Sequence, residues 1–153
     1  MSWMSIDPGL SGTGWAVWHQ KNLIASGAIG PQRHIDDWHD RAMEIGNQVF
    51  QIATDNDVQR AYYELPQYLN ARYEVNASGD LVKLCVVAGI IAGRLHRGHV
   101  KPVRIIDWKG QLSKENTLLR VIRLLAQRGR KLSTTTSHEA DAVGIGLYIQ
   151  GEF

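Results

Sequence analysis

The chain has 153 residues, of which 44% are apolar and 21% are charged, proportions close to those of an average globular domain. We therefore expect one domain spanning residues 1–153 and exclude the disordered, collagen-like and low-complexity classes. A single cysteine, Cys85, excludes a disulfide framework and a cysteine-built zinc site. The most apolar run, 84–93, is too short to span a membrane, and the first residues lack the basic segment of a secretory signal. These features predict a cytoplasmic protein without a membrane partner.

The net charge is only +2, but the charges are unevenly distributed along the chain. Residues 94–131 contain eleven basic and two acidic residues, a net charge of +9. The other residues include six basic and thirteen acidic ones, a net charge of −7. A basic block on an otherwise acidic chain indicates a polyanionic partner, most simply a nucleic acid, and the alternative is a solvated helical face.

The first half of the chain predicts an antiparallel meander followed by a helix and a strand. Segments 2–6, 13–19 and 23–29 have the composition of strands and are joined by short turns. Apolar residues at helical spacing then predict a helix over 35–53. These residues are Ile35, Trp38, Ala42, Ile45, Val49 and Ile52. A buried strand is predicted over 58–65, and the polar segment 67–79 is typical of a loop.

The segment 80–96 predicts a helix that is apolar on nearly every side. Asp80 is a plausible N-cap, and we expect the helix to reach about His96. A helix of this kind is either buried all round or has a second face covered by a partner. Gly89 and Gly93 would allow another helix to approach closely. The residues alone favour a central core helix and a dimer interface about equally.

The last third of the chain predicts a strand and two helices. Segment 102–106 has the composition of a strand. Ser113 is expected to cap a helix that runs to about Gln127 and ends before Gly129. Thr136 and Glu139 form a capping-box pattern for a last helix over 137–149. Strands that alternate with helices after a meander predict a mixed α/β sheet covered on both faces.

Three acidic residues stand in apolar surroundings at positions where elements end or pack. Asp7 follows the first strand, Glu64 ends the fourth, and Asp141 is flanked by small and apolar residues in the last helix. A carboxylate near an apolar core is costly unless it is paired or binds a cation. Three such carboxylates indicate a shared divalent-metal site, and their hard oxygen atoms favour Mg²⁺ or Mn²⁺ over zinc.

His138 lies three residues before Asp141, on the same face of the predicted helix. It could bind a metal or position a water molecule or a phosphate, and the alternative is an exposed histidine in a first turn. Asp7 could equally be a turn residue in Asp-Pro-Gly, and Asp141 an acid on a helix face. The four residues taken together favour the functional interpretation.

Four segments are informative: three contain these residues, and a fourth lies between Glu64 and His138. They are Ser-Ile-Asp-Pro-Gly-Leu-Ser-Gly-Thr-Gly-Trp-Ala at 5–16, Tyr-Glu-Leu-Pro-Gln at 63–67, Trp-Lys-Gly-Gln-Leu-Ser-Lys at 108–114, and His-Glu-Ala-Asp-Ala at 138–142. In this order and at this spacing they resemble the motifs of RuvC-type Holliday-junction resolvases, particularly of phage-encoded members. The resemblance covers about residues 5–149, and it implies a phage or prophage gene acting in the cytoplasm of a bacterium or an infected host.

The resemblance implies a ribonuclease-H-like fold, in which a five-stranded mixed sheet with its first three strands antiparallel is flanked by helices. This agrees with the order of elements predicted above. It also implies a homodimer formed through helix 80–96, which brings two active sites to the two strands cut in a four-way DNA junction.

The resemblance further assigns Asp7, Glu64 and Asp141 as catalytic carboxylates that bind metal. The family's fourth position is often Asp and is His138 here, so direct metal binding by that residue stays open. The implied cofactor is Mg²⁺, two ions per active site, with Mn²⁺ able to substitute. The implied reaction is phosphodiester hydrolysis that leaves a 5′-phosphate and a 3′-hydroxyl.

The resemblance also suggests DNA contacts outside the carboxylates. The cations expected at backbone phosphates are Lys109, Lys114, Arg120 and Arg123. For each of them the alternative is an ordinary surface charge. Tyr68 and Tyr73 follow Glu64 and are candidates to stack on an unpaired base at the junction centre.

Three other functions share features with this sequence. The turn after Asp7 is also found in actin-like ATPases and sugar kinases, but those need two lobes and a much longer chain. An RNA-processing nuclease of the same fold would share the carboxylates. A junction-binding protein without catalytic activity would have no need for them.

Overall fold

The first three strands form the predicted antiparallel meander, and two further strands extend it in parallel. In the computed structural model, which describes residues 1–66, 79–95 and 99–153, the strand order is β3-β2-β1-β4-β5. The strands are β1 (Ser2–Asp7), β2 (Thr13–His19), β3 (Asn22–Ile29), β4 (Val58–Leu65) and β5 (His99–Arg104). β1 is antiparallel to β2 and parallel to β4, and β5 is parallel to β4. The predicted five-stranded mixed sheet of the ribonuclease-H-like fold is therefore confirmed.

Helices cover both faces of this sheet. They are α1 (Trp38–Asp55), α2 (Asp80–Arg94), α3 (Ile105–Trp108), α4 (Lys114–Ala126) and α5 (Ser137–Ile149). Because side chains alternate along a strand, Met4 and Ile6 of β1 pack against α1 and α2, while Trp3 packs on the opposite face with α4 and α5. The central strands are consequently apolar on both faces, as their sequence indicates.

A buried carboxylate holds the start of α5. The Thr136 hydroxyl accepts a hydrogen bond from the Glu139 N–H at 3.2 Å, as the capping-box pattern predicts. The Glu139 carboxylate has a different use: it accepts from the Ser26 hydroxyl and from the backbone N–H groups of Ser133 and Thr134. Burial alone would raise the pKa of Glu139, but these hydrogen bonds outweigh it and hold the pKa below its ordinary value. The Thr136 half of the capping box is thus confirmed, whereas the Glu139 side chain connects α5 to β3 through Ser26.

A glycine in β2 lets the first turn of α5 lie directly on the sheet. A Cβ atom at Gly14 would stand 1.7 Å from the His138 carbonyl oxygen. No larger residue fits at this position unless α5 moves away. The close approach brings the side chains of the first turns of α5 to the end of β1.

The fifth strand and the segment after it differ from the prediction. β5 covers His99–Arg104, not 102–106, and it accommodates Pro102 because β5 is an edge strand with one neighbour. Residues 105–108 form the short helix α3, with Trp108 buried and Asp107 paired to Arg104. β-branched residues at 105 and 106 look like a strand in sequence, but burial of the indole favours a helical turn.

The beginnings of two helices also differ from the prediction. α1 begins at Trp38, three residues later than predicted, because the Asp37 side chain caps it by accepting from the backbone N–H groups of His39 and Asp40. α2 begins at Asp80, with Gly79 at φ 62° as its N-cap, so Asp80 is not the cap. It ends at Arg94, and the predicted end at His96 lies outside the described residues.

Only one face of α2 is buried. Val87, Ala88 and Ile91 are buried, whereas Val82 is 64% exposed and Cys85 is exposed. Of the two alternatives left open by the sequence, a core helix buried on every side within this chain is therefore excluded, and α2 presents an apolar face to the surface. Among the described residues, no helix is both long and apolar enough to cross a membrane.

Candidate active site

The four residues of the predicted site lie around one cleft. β1 and β4 are parallel neighbours, so their carboxyl ends, with Asp7 and Glu64, meet at the same edge of the sheet. α5 crosses this edge and contributes His138 and Asp141. All four side chains line a cleft of about 530 Å³. The roles of these residues remain predictions, but the fold brings them together.

Asp7 and His138 form a pair at the bottom of the cleft. His138 Nδ1 lies 2.8 Å from Asp7 Oδ2, and Asp7 is 7% exposed. Burial raises the pKa of Asp7, the hydrogen bond to His138 opposes this, and the charge of Asp141 adds to the increase. The same hydrogen bond raises the pKa of His138. A Cβ atom at Gly12 would lie 2.5 Å from the imidazole, so the turn after β1 holds the ring against Asp7.

Asp141 is paired with a lysine from the segment after α3. Lys109 Nζ lies 3.0 Å from both carboxylate oxygens of Asp141, and the two side chains are 12% and 11% exposed. The ammonium group also lies 5.2 Å from the centre of the Trp108 ring. Lys109, predicted to contact phosphate, thus lies inside the carboxylate cluster and neutralises one of its members.

Glu64 receives its hydrogen bond from a neutral donor. The Trp108 indole Nε1–H donates to Glu64 Oε2 at 3.0 Å. Burial and the charges of Asp7 and Asp141 raise the pKa of Glu64 to about 8. Trp108 belongs to the segment 108–114, but the sequence predicts no role for it. No feature of the sequence indicates this contact, because the two residues are 44 positions apart.

The cluster has the chemistry of a divalent-cation site. Asp7, Glu64 and Asp141 offer hard oxygen atoms, and the crowding of their charges contributes to the raised pKa values of Asp7 and Glu64. A cation would relieve this repulsion. Among the described residues, a tighter group of possible ligand atoms lies elsewhere, at Asp37, His39 and Asp40, all exposed. The capping of α1 by Asp37 accounts for that group, so we assign no metal to it.

The other residues predicted to contact DNA lie in different parts of the structure. Lys114 lines the cleft itself. Arg120 and Arg123 line a neighbouring cavity of about 320 Å³, and Leu112 belongs to both cavities. The Arg120 guanidinium lies over the Phe153 ring, 4.5 Å from its centre. Tyr68 and Tyr73 lie outside the described residues.

The basic block is partly neutralised within the protein. Lys109 pairs with Asp141, Arg104 pairs with Asp107, and Arg128 pairs with Glu152. The charge available to a polyanion is therefore smaller than the sequence count indicates. Lys114, Arg120 and Arg123 are exposed beside or beyond the cleft.

No family model matches the chain, and no curated protein does. Solved structures match along nearly its whole length. Thermus thermophilus RuvC in complex with a Holliday junction substrate has a TM-score of 0.73 at 18% identity, covering 99% of this chain and 97% of that one. Another structure of Thermus thermophilus RuvC has a TM-score of 0.69 at 17% identity, covering 99% and 98%. The yeast mitochondrial Holliday junction resolvase Ydc2 has a TM-score of 0.63 at 11% identity, covering 94% and 75%.

These similarities establish the fold. The chain has the architecture of RuvC-type Holliday-junction resolvases over nearly its full length, so the resemblance predicted from the four motifs is confirmed at the level of the fold. At 11–18% identity the comparison does not by itself assign an activity.

Proposed function

We propose that this protein is a metal-dependent endonuclease that resolves four-way DNA junctions. One observation carries the proposal: three carboxylates, a histidine and two lysines share a single cleft on a RuvC-like fold. Carboxylates supply cation ligands, and lysines supply charge for a phosphodiester. A RuvC of this fold is known in complex with a Holliday junction, and Ydc2 is itself a Holliday junction resolvase.

Asp7, Glu64 and Asp141 are the residues that would hold the metal, and His138 is a possible fourth ligand. Two Mg²⁺ ions, or Mn²⁺ in their place, would when bound supply activation of a water molecule and charge stabilisation of the leaving 3′ oxygen, and the products would be a 5′-phosphate and a 3′-hydroxyl. Nδ1 of His138 is engaged by Asp7, so this contact orients the carboxylate from one side.

The two lysines would act on the substrate. Lys109 and Lys114 line the cleft with the carboxylates, where an ammonium group can donate to a non-bridging phosphate oxygen. Both would reduce the repulsion between the DNA backbone and the acidic residues. Arg120 and Arg123 would continue the phosphate contacts beyond Leu112 along the exposed side of α4.

The proposal includes a homodimer that uses the exposed face of α2. A four-way junction must be cut on two strands, and a two-fold dimer presents two equivalent active sites. Val82 and Cys85 are exposed on this helix, and a Cβ atom at Gly89 would have no atom of the described residues within 4 Å. A second helix could therefore approach closely along this face.

A cleavage assay tests the activity. A synthetic four-way junction and a linear duplex of matched sequence are each incubated with Mg²⁺ or with EDTA. We expect paired nicks in the junction alone, and only with Mg²⁺. Glu64→Gln should fold and bind the junction without cutting it, because the amide keeps the shape of the side chain but lacks the charge that holds a cation. Asp40→Asn, in the exposed group at the start of α1, is the matched control and should cut normally.

Two other results of this assay would contradict the proposal and indicate a different function. A junction that is bound but never cut indicates a binding protein without catalytic activity. Cleavage of structured RNA, with both DNA substrates left intact, indicates an RNA-processing nuclease with the same carboxylates.

A further inference from the structure

The indole of Trp108 contacts the carboxylate cluster from outside the cleft lining. Its Nε1–H donates to Glu64 Oε2 at 3.0 Å across 44 residues of sequence, and Trp108 is 3% exposed. An indole N–H can only donate, so unlike a hydroxyl or an imidazole it cannot exchange roles with its partner. The contact therefore selects one carboxylate oxygen of Glu64 and leaves the other available to the cleft.

The ring that carries this donor is held firmly. It packs with Val103 and Ile145, and the Phe153 ring lies 5.5 Å from it, centre to centre. Gly144 of α5 provides the space for the ring, because a Cβ atom there would lie 2.6 Å from Trp108 Cζ3. A donor that cannot move restrains the side chain it contacts.

We propose that Trp108 is a positioning residue for Glu64, with its indole N–H holding Oε2 so that Oε1 is directed to the cation. The inference rests on the proposed metal-dependent function and extends it to a residue that does not touch the substrate. Loss of an outer contact of this kind from a metal-binding carboxylate typically lowers metal affinity or activity by about 10–100-fold.

The structure contains a matched control on the same side of the sheet. Trp18 is fully buried and donates its Nε1–H to the Ser5 hydroxyl at 2.9 Å, outside the carboxylate cluster. It too packs against a glycine of α5, since a Cβ atom at Gly146 would lie 2.4 Å from its ring. The same substitution at the two positions removes a similar buried N–H and a similar ring volume.

The test compares Trp108→Phe with Trp18→Phe. We measure kcat on the four-way junction, the junction dissociation constant in EDTA, and the Mn²⁺ dissociation constant without DNA. Trp108→Phe should lower kcat and weaken Mn²⁺ binding by about 10–100-fold, while junction affinity changes less than about twofold. Trp18→Phe should leave all three within about twofold of wild type, although it too loses thermal stability.

A second pair of variants covers the case in which Trp108→Phe fails to fold. Gly144→Ala displaces the Trp108 ring without removing the indole, and Gly146→Ala does the same to Trp18. We expect only Gly144→Ala to weaken Mn²⁺ binding, measured at a temperature where both are folded.

The outcomes separate this inference from the proposed function. Equal Mn²⁺ affinities for the Trp108 and Trp18 variants would overturn the positioning role. If wild type binds Mn²⁺ but cuts no junction, the proposed function fails, while the Mn²⁺ comparison still decides the role of Trp108. A wild-type protein that binds no Mn²⁺ would overturn both.

Discussion

Each acidic residue of the cleft has its own hydrogen-bond donor. Asp7 is held by His138, Asp141 by Lys109 and Glu64 by Trp108. Two of these donors carry or can acquire positive charge, whereas the indole is neutral. In the described part of the chain, Glu64 therefore has no direct cationic partner, and burial together with its acidic neighbours raises its pKa to about 8. A bound cation would relieve the cost of ionising Glu64 in this setting.

This assignment predicts a pH-dependent effect of Glu64→Gln on stability. The folded protein raises the pKa of Glu64 from 4.5 to about 8, so the contribution of Glu64 to stability without metal is most favourable below pH 4.5 and becomes less favourable as the pH rises to 8. Glutamine cannot ionise, so the variant does not lose this stability as the pH rises. We expect the variant to be more stable than wild type by about 1–3 kcal/mol at pH 8.5 and to lose this advantage at pH 4.5.

Urea unfolding in EDTA at the two pH values measures the difference in free energy of unfolding. Added Mg²⁺ should stabilise wild type and leave Glu64→Gln unchanged. If the difference in free energy of unfolding between wild type and Glu64→Gln is the same at pH 4.5 and pH 8.5, folding does not raise the pKa of Glu64.

Among the elements, α5 determines the geometry of the site. It packs on β1 and β2, and it carries both His138 and Asp141. Its position depends on two contacts with the meander: the close approach at Gly14 and the hydrogen bonds around Glu139. Glu139, an acid two residues before Asp141, thus supports the helix that carries His138 and Asp141.

Glu139→Gln should destabilise the protein at neutral pH. The carboxylate accepts hydrogen bonds on both oxygens, and an amide would turn an NH₂ group toward donors from Ser133 or Thr134. We expect a loss of about 2–4 kcal/mol in the free energy of unfolding, against less than about 0.5 kcal/mol for Glu115→Gln, an exposed acid in α4.

The deficit of Glu139→Gln should narrow in acid. Because the folded state lowers the pKa of Glu139, its contribution is complete above pH 4.5 and is lost as the pH falls through the folded value. Thermal unfolding at pH 7 and pH 3.5 measures this. A deficit as large at pH 3.5 as at pH 7 would contradict the role of the charged form.

For the whole molecule, the exposed face of α2 and the exposed cations of α4 determine the proposed assembly. The dimer predicts that a charge on α2 weakens self-association. Val82→Glu should raise the dimer dissociation constant at least tenfold, because an isolated carboxylate would be buried between two helices. Ile24→Glu, at a residue 53% exposed on the edge strand β3, is the matched control. Light scattering after gel filtration measures both, and equal masses for the two variants would exclude this interface.

DNA binding should depend on salt through the cations beyond the cleft. Arg123 is exposed next to Leu112, and a phosphate contact there releases about one counterion. Arg123→Gln should reduce the slope of log affinity against log salt by about 1, for junction and linear duplex alike. Arg33→Gln, an exposed cation in the segment before α1, should leave the slope unchanged. An unchanged slope for Arg123→Gln would place Arg123 outside the DNA interface.

The sequence by itself determined the strand meander, the order of the strands and the four longer helices, and the candidate carboxylates. Each of these depends on a local pattern: alternation in strands, apolar spacing in helices, and acidic residues among apolar neighbours. It misplaced β5 and omitted α3, since β-branched residues resemble a strand and only the burial of Trp108 selects a helical turn. It also could not reveal which face of α2 is buried, which depends on packing against α1.

Only the tertiary structure decided the partners of the carboxylates. Lys109 and Asp141 are 32 residues apart, Trp108 and Glu64 are 44 apart, and Ser26 and Glu139 are 113 apart. No local pattern encodes such pairs, because they depend on where packing places the end of each strand and helix. The acids were visible in the sequence since each is unusual among its neighbours, whereas a donor such as Trp108 looks like any core aromatic until the fold brings its N–H to Glu64.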